Sequence, residues 1–160
     1  LDLGFKFEIA KTREGRTVLG CIQCGICSSS CPFSEELDFK PHEMVKMILL
    51  GMREAALSSQ KIWACATCYM CAERCPQKVE LGNVLMAVAN IAAREKGLPE
   101  QLTKIGGTLF DDGRVTPVTE GRQRERERLG LPPVPEVGIS GMRRIVKEEG
   151  VAKLVGKEGT

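Results

Sequence analysis

One cysteine spacing, written twice, limits what this chain can fold into more than any other feature. Cys21, Cys24, Cys27 and Cys31 are followed by Pro32, and Cys65, Cys68, Cys71 and Cys75 by Pro76. Both runs read C-x2-C-x2-C-x3-C-P, and together they use all 8 cysteines of the 160-residue chain. The spacing suits a cubane 4Fe–4S cluster. Two intervening residues let the chain curl so that three thiolates cap three corners of a cube, and the curl turns backbone N–H groups toward the sulfides. The fourth cysteine follows after three residues and points away; in two-run chains it ligates the other cluster. The expected ligands are therefore Cys21, Cys24, Cys27 and Cys75 for one cluster, and Cys65, Cys68, Cys71 and Cys31 for the other. Pro32 and Pro76, with fixed φ and no N–H, redirect the chain as it leaves each site. Gly25 permits close backbone approach.

Other cysteine chemistries fit less well. Two zinc sites would use C-x2-C pairs with longer gaps, leaving Cys24 or Cys68 crowded in the middle of a triplet. A thioredoxin-like dithiol needs one C-x-x-C at a helix start in a βαβ setting, and that setting is absent. Disulfides conflict with the close triplets and with the lack of a basic stretch followed by an apolar run at the start. The expected location is a reducing cytoplasm. Leu1 is not a methionine, so a few residues are expected to precede it.

The rest of the composition removes further classes. Aromatics make up 4% of residues, so the core must come from aliphatic side chains, and a core of that size benefits from a metal staple. The net charge of +2, with opposite signs interspersed, gives no nucleic-acid footprint. The most apolar run, Met44 to Met52, carries Lys46 and falls far short of the about 20 residues of a membrane span. There is no G-x-G-x-x-G fingerprint and no P-loop; Gly106-Gly107 is too little for a phosphate cradle. His42 is the only histidine and reads as a helix-start residue, so no Ser-His-Asp or His-metal site is expected and no catalytic residue is assigned. Trp63 and Tyr69 are expected to pack over a cluster and limit water. Lys61, Arg74 and Lys78 read as solvated cations near the second run, and Asp111-Asp112 as a turn.

The fold expected is mainly α. Residues 1–9 alternate apolar and polar, which predicts a short N-terminal strand. A lone strand cannot satisfy its own backbone, so it is expected to join a partner's sheet edge or a hairpin. The 33 residues from Pro32 to Ala64 are helical in pattern: Pro41 opens a helix whose Met44, Met47 and Ile48 share a face, and shorter pieces cover Arg53–Leu57 and Lys61–Ala66. Leu81, Val84, Leu85, Val88, Ala89 and Ala92 trace an amphipathic helix that stops at Gly97-Leu98-Pro99. Further helices are expected from Glu100 to Leu109, from Arg122 to Leu129 as a solvated charged face, and after Ser140 as a cap, with Leu131–Pro135 as an extended spacer. The expected divisions are 1–20 as strand and connector, 21–97 as the cluster domain, and 98–160 as an extended helical tail contacting partners or solvent.

Cys-Ile-Gln-Cys-Gly at 21–25, Ser-Cys-Pro at 30–32, Pro41-His42-Glu43 and Trp63-Ala64-Cys65-Ala66-Thr67-Cys68-Tyr69-Met70-Cys71 together resemble the C subunit of the soluble heterodisulfide reductase. The resemblance is close over residues 20–96. It implies an α-helical ferredoxin domain with two 4Fe–4S clusters and a place in methanogenesis. It further implies a cytoplasmic complex in which electrons are bifurcated at the flavin of the A subunit. The C subunit would then pass them to the B subunit, where the coenzyme M–coenzyme B disulfide is reduced. A hydrogenase or formate dehydrogenase module feeds such complexes. The cysteine-rich motif of the B subunit and the flavin site of the A subunit are missing here, which suits a separate electron-transfer subunit. The alternatives are the iron–sulfur subunit of a fumarate reductase or glycolate oxidase relative, or a structural iron–sulfur module.

Overall fold

In the computed structural model, which describes residues 1–36, 40–135 and 137–157 apart from the side chains of Gln60 and Lys61, the N-terminal segment is a helix, α1 (Phe5–Lys11). This corrects the expected strand, and with it the idea of a strand added to a partner's sheet. The alternating pattern contains an i, i+4 pair that serves a helix equally well. Phe5 and Ile9 are fully buried, while Phe7 between them is 51% exposed. A helix closes its own backbone hydrogen bonds, whereas no strand exists among the described residues to pair with this one. The Asp2 N–H donates to the Gly51 carbonyl at 2.7 Å, tying the chain start to a turn far along the sequence. Gly51 has φ +72°, and a Cβ there would lie 2.4 Å from the Asp2 carbonyl oxygen, so the turn requires glycine.

The chain divides into two units, Leu1–Lys96 and Gly97–Thr160. In the first, α2 (Ile26–Ser29) and α5 (Met70–Glu73) are single turns inside the two cysteine runs, and 3-10 turns at Val18–Gly20 and Gln60–Ala64 lead into those runs. The scaffold consists of α3 (Pro41–Leu49), α4 (Arg53–Ser58) and α6 (Leu81–Lys96). Pro41 opens α3, and the Glu43 carboxylate accepts the Lys40 N–H at 2.7 Å, satisfying a donor at the helix start. Met44, Val45 and Ile48 of α3, Ala56 and Leu57 of α4, and Leu81, Val84, Leu85 and Val88 of α6 are buried together with Phe5 and Ile9. Each large aliphatic side chain among them contributes about 1.5–3 kcal/mol on burial. Cys21, Cys27, Cys65, Cys71 and Cys75 pack against the edge of this core. On its surface Arg53 pairs with Glu8, Glu95 and Asp2 and lies 5.1 Å over the Phe5 ring, linking α1, α4 and α6.

The second unit holds α7 (Glu100–Asp112), α8 (Glu120–Arg128), α9 (Ile139–Glu148) and α10 (Val151–Leu154). Phe110, Val146 and Ala152 form its buried cluster, with Met142 and Val151 against it. Arg143 and Lys147 lie 5.4 and 5.9 Å over the Phe110 ring. The last long helix begins at Ile139 after Gly138, one residue before the expected Ser140 cap. Helix α7 continues through Asp111 and Asp112, expected as a turn; Asp111 pairs with Lys157 at 2.8 Å. Helix α8 buries nothing and is laced by Arg124–Glu120 and Arg128–Glu125 pairs, in keeping with a solvated charged face. Among the described residues no helix is long and apolar enough to cross a membrane.

Candidate metal centre

The two cysteine runs fold alike because their spacing forces the same sequence of turns. In each run the residue after the second cysteine, Gly25 or Tyr69, takes a left-handed conformation (φ +79° and +59°). A single helical turn then presents the third cysteine. Gln23 and Thr67, one residue before the second cysteine, are also left-handed. Left-handed residues on both sides of the second cysteine curl the chain tightly, so the thiols line a hollow.

Two hollows result, of about 400 and about 430 Å3 counting their open mouths. Cys21, Cys24, Cys27 and Cys75 line the first, with Cys71 at its edge. Cys31, Cys65, Cys68 and Cys71 line the second, so Cys71 belongs to both walls. None of the eight cysteines is joined to another by a disulfide. Arg74 of the second run reaches Ser30 of the first at 3.4 Å, joining the two runs near their crossing cysteines.

Burial opposes ionisation at two of these sulfurs. Burial pushes the Cys71 thiol up to about 11, with the like-charged Cys65 and Cys27 adding to it and the Ala72 and Cys71 N–H groups opposing. Burial also raises Cys27; the Ser28 hydroxyl opposes this, while Cys21 and Cys24 add to it. Unpaired thiolates are therefore disfavoured in both hollows at neutral pH, and metal binding reverses that by displacing the protons. Backbone donors aimed at sulfur are already in place: Gln23 N–H to Cys21 Sγ at 3.4 Å and Val79 N–H to Cys75 Sγ at 3.3 Å. The donor set and the oriented amides fit an iron–sulfur cluster.

Around the thiols the walls differ. Val45, Val79 and Leu81 line the first hollow together with the imidazole of His42. The second is lined by Phe33, Pro41, Tyr69, Met70, Gly82 and Leu85. Tyr69, expected to pack over a cluster, lines the hollow of Cys31, Cys65, Cys68 and Cys71. Its ring packs on Gly82, where a Cβ would come within 3.2 Å of it, and its hydroxyl donates to Asn83 at 3.1 Å. Trp63 instead packs against the apolar core and lines neither hollow. Arg74 and Lys78 are exposed and line neither hollow, and the side chain of Lys61 lies outside the described residues.

Sequence reasoning missed Gln23, Ser28 and the ring of His42. The Gln23 amide Nε2 donates to Cys21 Sγ at 3.4 Å. Ser28 is buried, its oxygen accepts the His42 N–H at 3.1 Å, and it lies 2.6 Å from His42 Nδ1. Comparing the two runs position by position would have flagged Ser28 as polar where the second run has Ala72. Nothing in the sequence pairs Ser28 with a histidine 14 residues away.

Residues 17–79 match the family model described as a 4Fe-4S dicluster domain. The second C-type iron–sulfur subunit of the CoB–CoM heterodisulfide reductase of Methanocaldococcus jannaschii is 30% identical over 146 residues, 88% of this chain and 78% of the relative. The chain belongs to the family of heterodisulfide reductase C subunits. The C subunit of the ferredoxin/F420H2-dependent CoB-CoM heterodisulfide reductase of Methanosarcina acetivorans is 29% identical over 151 residues, covering 91% of this chain and 93% of that one. Its counterpart in the ferredoxin:CoB-CoM heterodisulfide reductase of Methanosarcina mazei is 30% identical over 76% of this chain and 75% of its own. Membership gives the chain two 4Fe–4S clusters, a role in electron transfer and a place in a complex with other subunits.

Proposed function

We propose that Cys21, Cys24, Cys27 and Cys75 hold one 4Fe–4S cluster and Cys65, Cys68, Cys71 and Cys31 the other. The observation that carries the assignment is the lining of the hollows: each gathers the first three cysteines of one run and the last cysteine of the other. Each bound cluster supplies a one-electron couple, and Cys71, in both walls, gives a short path between them. The scaffold of α3, α4 and α6 fixes the cysteines, and the apolar walls exclude water. Residues 21–97 act as the cluster-bearing domain, residues 1–20 lead into it, and residues 98–160 extend toward partners.

On this reading the chain relays single electrons in the cytoplasm, from a flavin-containing, electron-bifurcating A subunit to a catalytic B subunit. The latter reduces the coenzyme M–coenzyme B disulfide, and a hydrogenase or formate dehydrogenase module feeds the complex. The names of the relatives support the reductase, and the sulfur-lined hollows support the relay. The deciding experiment is anaerobic purification with co-purifying proteins, iron and sulfide analysis, and a redox titration. About eight irons per chain and two reversible one-electron steps are expected. Two zincs without sulfide would overturn the cluster assignment, and clusters that never reduce reversibly would leave only a structural staple.

A further inference from the structure

The two hollows are built on one plan. The first takes the second and fifth residues of α3, His42 and Val45, and the first residue of α6, Leu81. The second takes the second and fifth residues of α6, Gly82 and Leu85, and the first residue of α3, Pro41. Each run is thus backed by the helix that follows it. In this correspondence Gly25 stands where Tyr69 does, and His42 where Gly82 does. Each hollow therefore pairs a ring with a glycine, and the ring comes from the helix at the first and from the cysteine run at the second. Phe33 also lines the second hollow; its counterpart Gln77 lines the first, so that position takes no part in the exchange.

Both rings are tied to the element they do not come from. His42 Nδ1 lies 2.6 Å from the Ser28 oxygen in the first run, and the Tyr69 hydroxyl donates to Asn83 Oδ1 of α6 at 3.1 Å. Gly82 makes room for the tyrosine, since a Cβ there would come within 3.2 Å of its ring. Beside Gly25 a Cβ would meet nothing within 4 Å among the described residues, so the first run leaves its own mouth uncovered at this position. Tyr69 holds its place against the backbone. Its φ of +59° is left-handed, a region that a Cβ disfavours and that Gly25 occupies freely at +79°. A disfavoured backbone held in place by the packing of its own side chain points to a role for that side chain.

We infer that His42 and Tyr69 are equivalent seals, one ring over each cluster site, carried by the helix at the first and by the cysteine run at the second. The shell around a metal site controls solvent access to it. Each ring keeps water and small solutes from the bonds between thiolate and metal, so the sites hold their iron against dissolved ligands while the chain passes electrons. The inference rests on the ligand assignment proposed above and adds what guards each site. Neither ring is a ligand.

The test is iron release from the full chain loaded with iron and sulfide, reduced, kept anaerobic and mixed with bathophenanthroline disulfonate, a bulky anionic iron(II) chelator. The unmodified chain should release its iron slowly. Tyr69→Gly copies the first run's own residue and relaxes the backbone; it should speed release of about half the iron about tenfold and leave the rest slow. His42→Gly should speed the other half, and the two together should make both halves fast. Tyr69→Phe keeps the ring, loses the bond to Asn83 and should stay slow. A Tyr69→Phe chain as fast as Tyr69→Gly would mean that the residue anchors the loop, and would overturn the seal. Tyr69→Gly, Ala72→Ser and Gly82→His combined move the ring to the helix, as at the first site, and should restore slow release. If Tyr69→Gly alone fails to hold both clusters, this triple variant decides: slow release supports the seals, and fast release or failure to hold iron overturns them. One common rate in every iron-replete variant would overturn the seals and leave the relay intact. An unmodified chain that binds no iron, or zinc without sulfide, would overturn the ligand assignment instead.

Discussion

In residues 1–96 the side chains of α1, α3, α4 and α6 meet in one continuous core, with five of the cysteines packed against its edge. In residues 97–160 the buried cluster consists of Phe110, Val146 and Ala152, and much of the remaining order lies in surface pairs such as Lys157–Asp111 and Lys104–Glu100. The contrast shows where the chain concentrates rigidity. Cysteine loops with several left-handed residues need a firm support and a metal to hold them, and the first unit provides the support. The second unit has little apolar mass, and at roughly 0.05–0.15 kcal/mol per residue a segment of its length has about 3–10 kcal/mol of stability to lose.

The contrast can be broken most severely by taking away the metal. Iron chelation under anaerobic conditions should unfold the cysteine loops, because the bonds from cysteine to metal hold their left-handed turns together. Hydrogen exchange should then rise first over residues 21–31 and 65–75, with α9 protected as before. Equal exchange in both units would mean that they are not separate in stability. Cys31→Ser should selectively damage the cluster built on the second triplet, read as a loss of about half the iron; loss from the first triplet instead would refute the crossed ligand assignment.

Phe110→Ala tests the weaker half. It should cost about 3–5 kcal/mol, enough to melt much of residues 97–160, while the cluster absorbance of the first unit persists. Circular dichroism and visible absorbance followed together would separate the two signals. Arg53→Ala removes a surface network and a contact with Phe5 and should lower stability by about 1 kcal/mol in a thermal melt of the first unit.

Glu54 carries the smallest effect. A hydrogen bond from Lys96, then one from Ser58, holds its carboxylate below the usual range. Its contribution is therefore present above the unfolded value of about 4.3 and lost as pH falls through the lower folded value. Melting temperatures taken from about pH 6 down to about pH 3 should fall slightly less for Glu54→Gln than for the unmodified chain. Identical slopes would show that full exposure screens the pair completely.

Several elements were legible because local chain geometry decides them. Pro41 with Glu43 marks the start of α3, and the apolar spacing from Leu81 onward marks α6. The N-terminal segment was not legible in the same way. Phe5 and Ile9 fit period 2 and i, i+4 alike, and only the α3–α4 turn at Gly51 and the Arg53 network select the helix. Trp63 was expected over a cluster because it neighbours Cys65; a 3-10 turn carries its ring toward the core. Tyr69 met the same expectation because it lies inside the run, where the loop fixes its direction.

By itself the sequence determined that this chain binds two cubane clusters, since the C-x2-C-x2-C turn is a local property that a few residues impose on the backbone. It also pointed to helices between and after the runs, through spacing that any amphipathic helix requires. Tertiary structure alone decided what surrounds the thiols. Packing α3 against the first run sets His42 beside Ser28, and packing α6 against the second sets Tyr69 on Gly82. These contacts join residues distant in sequence, so no spacing rule encodes them. They are what makes two sites of identical cysteine pattern chemically unequal.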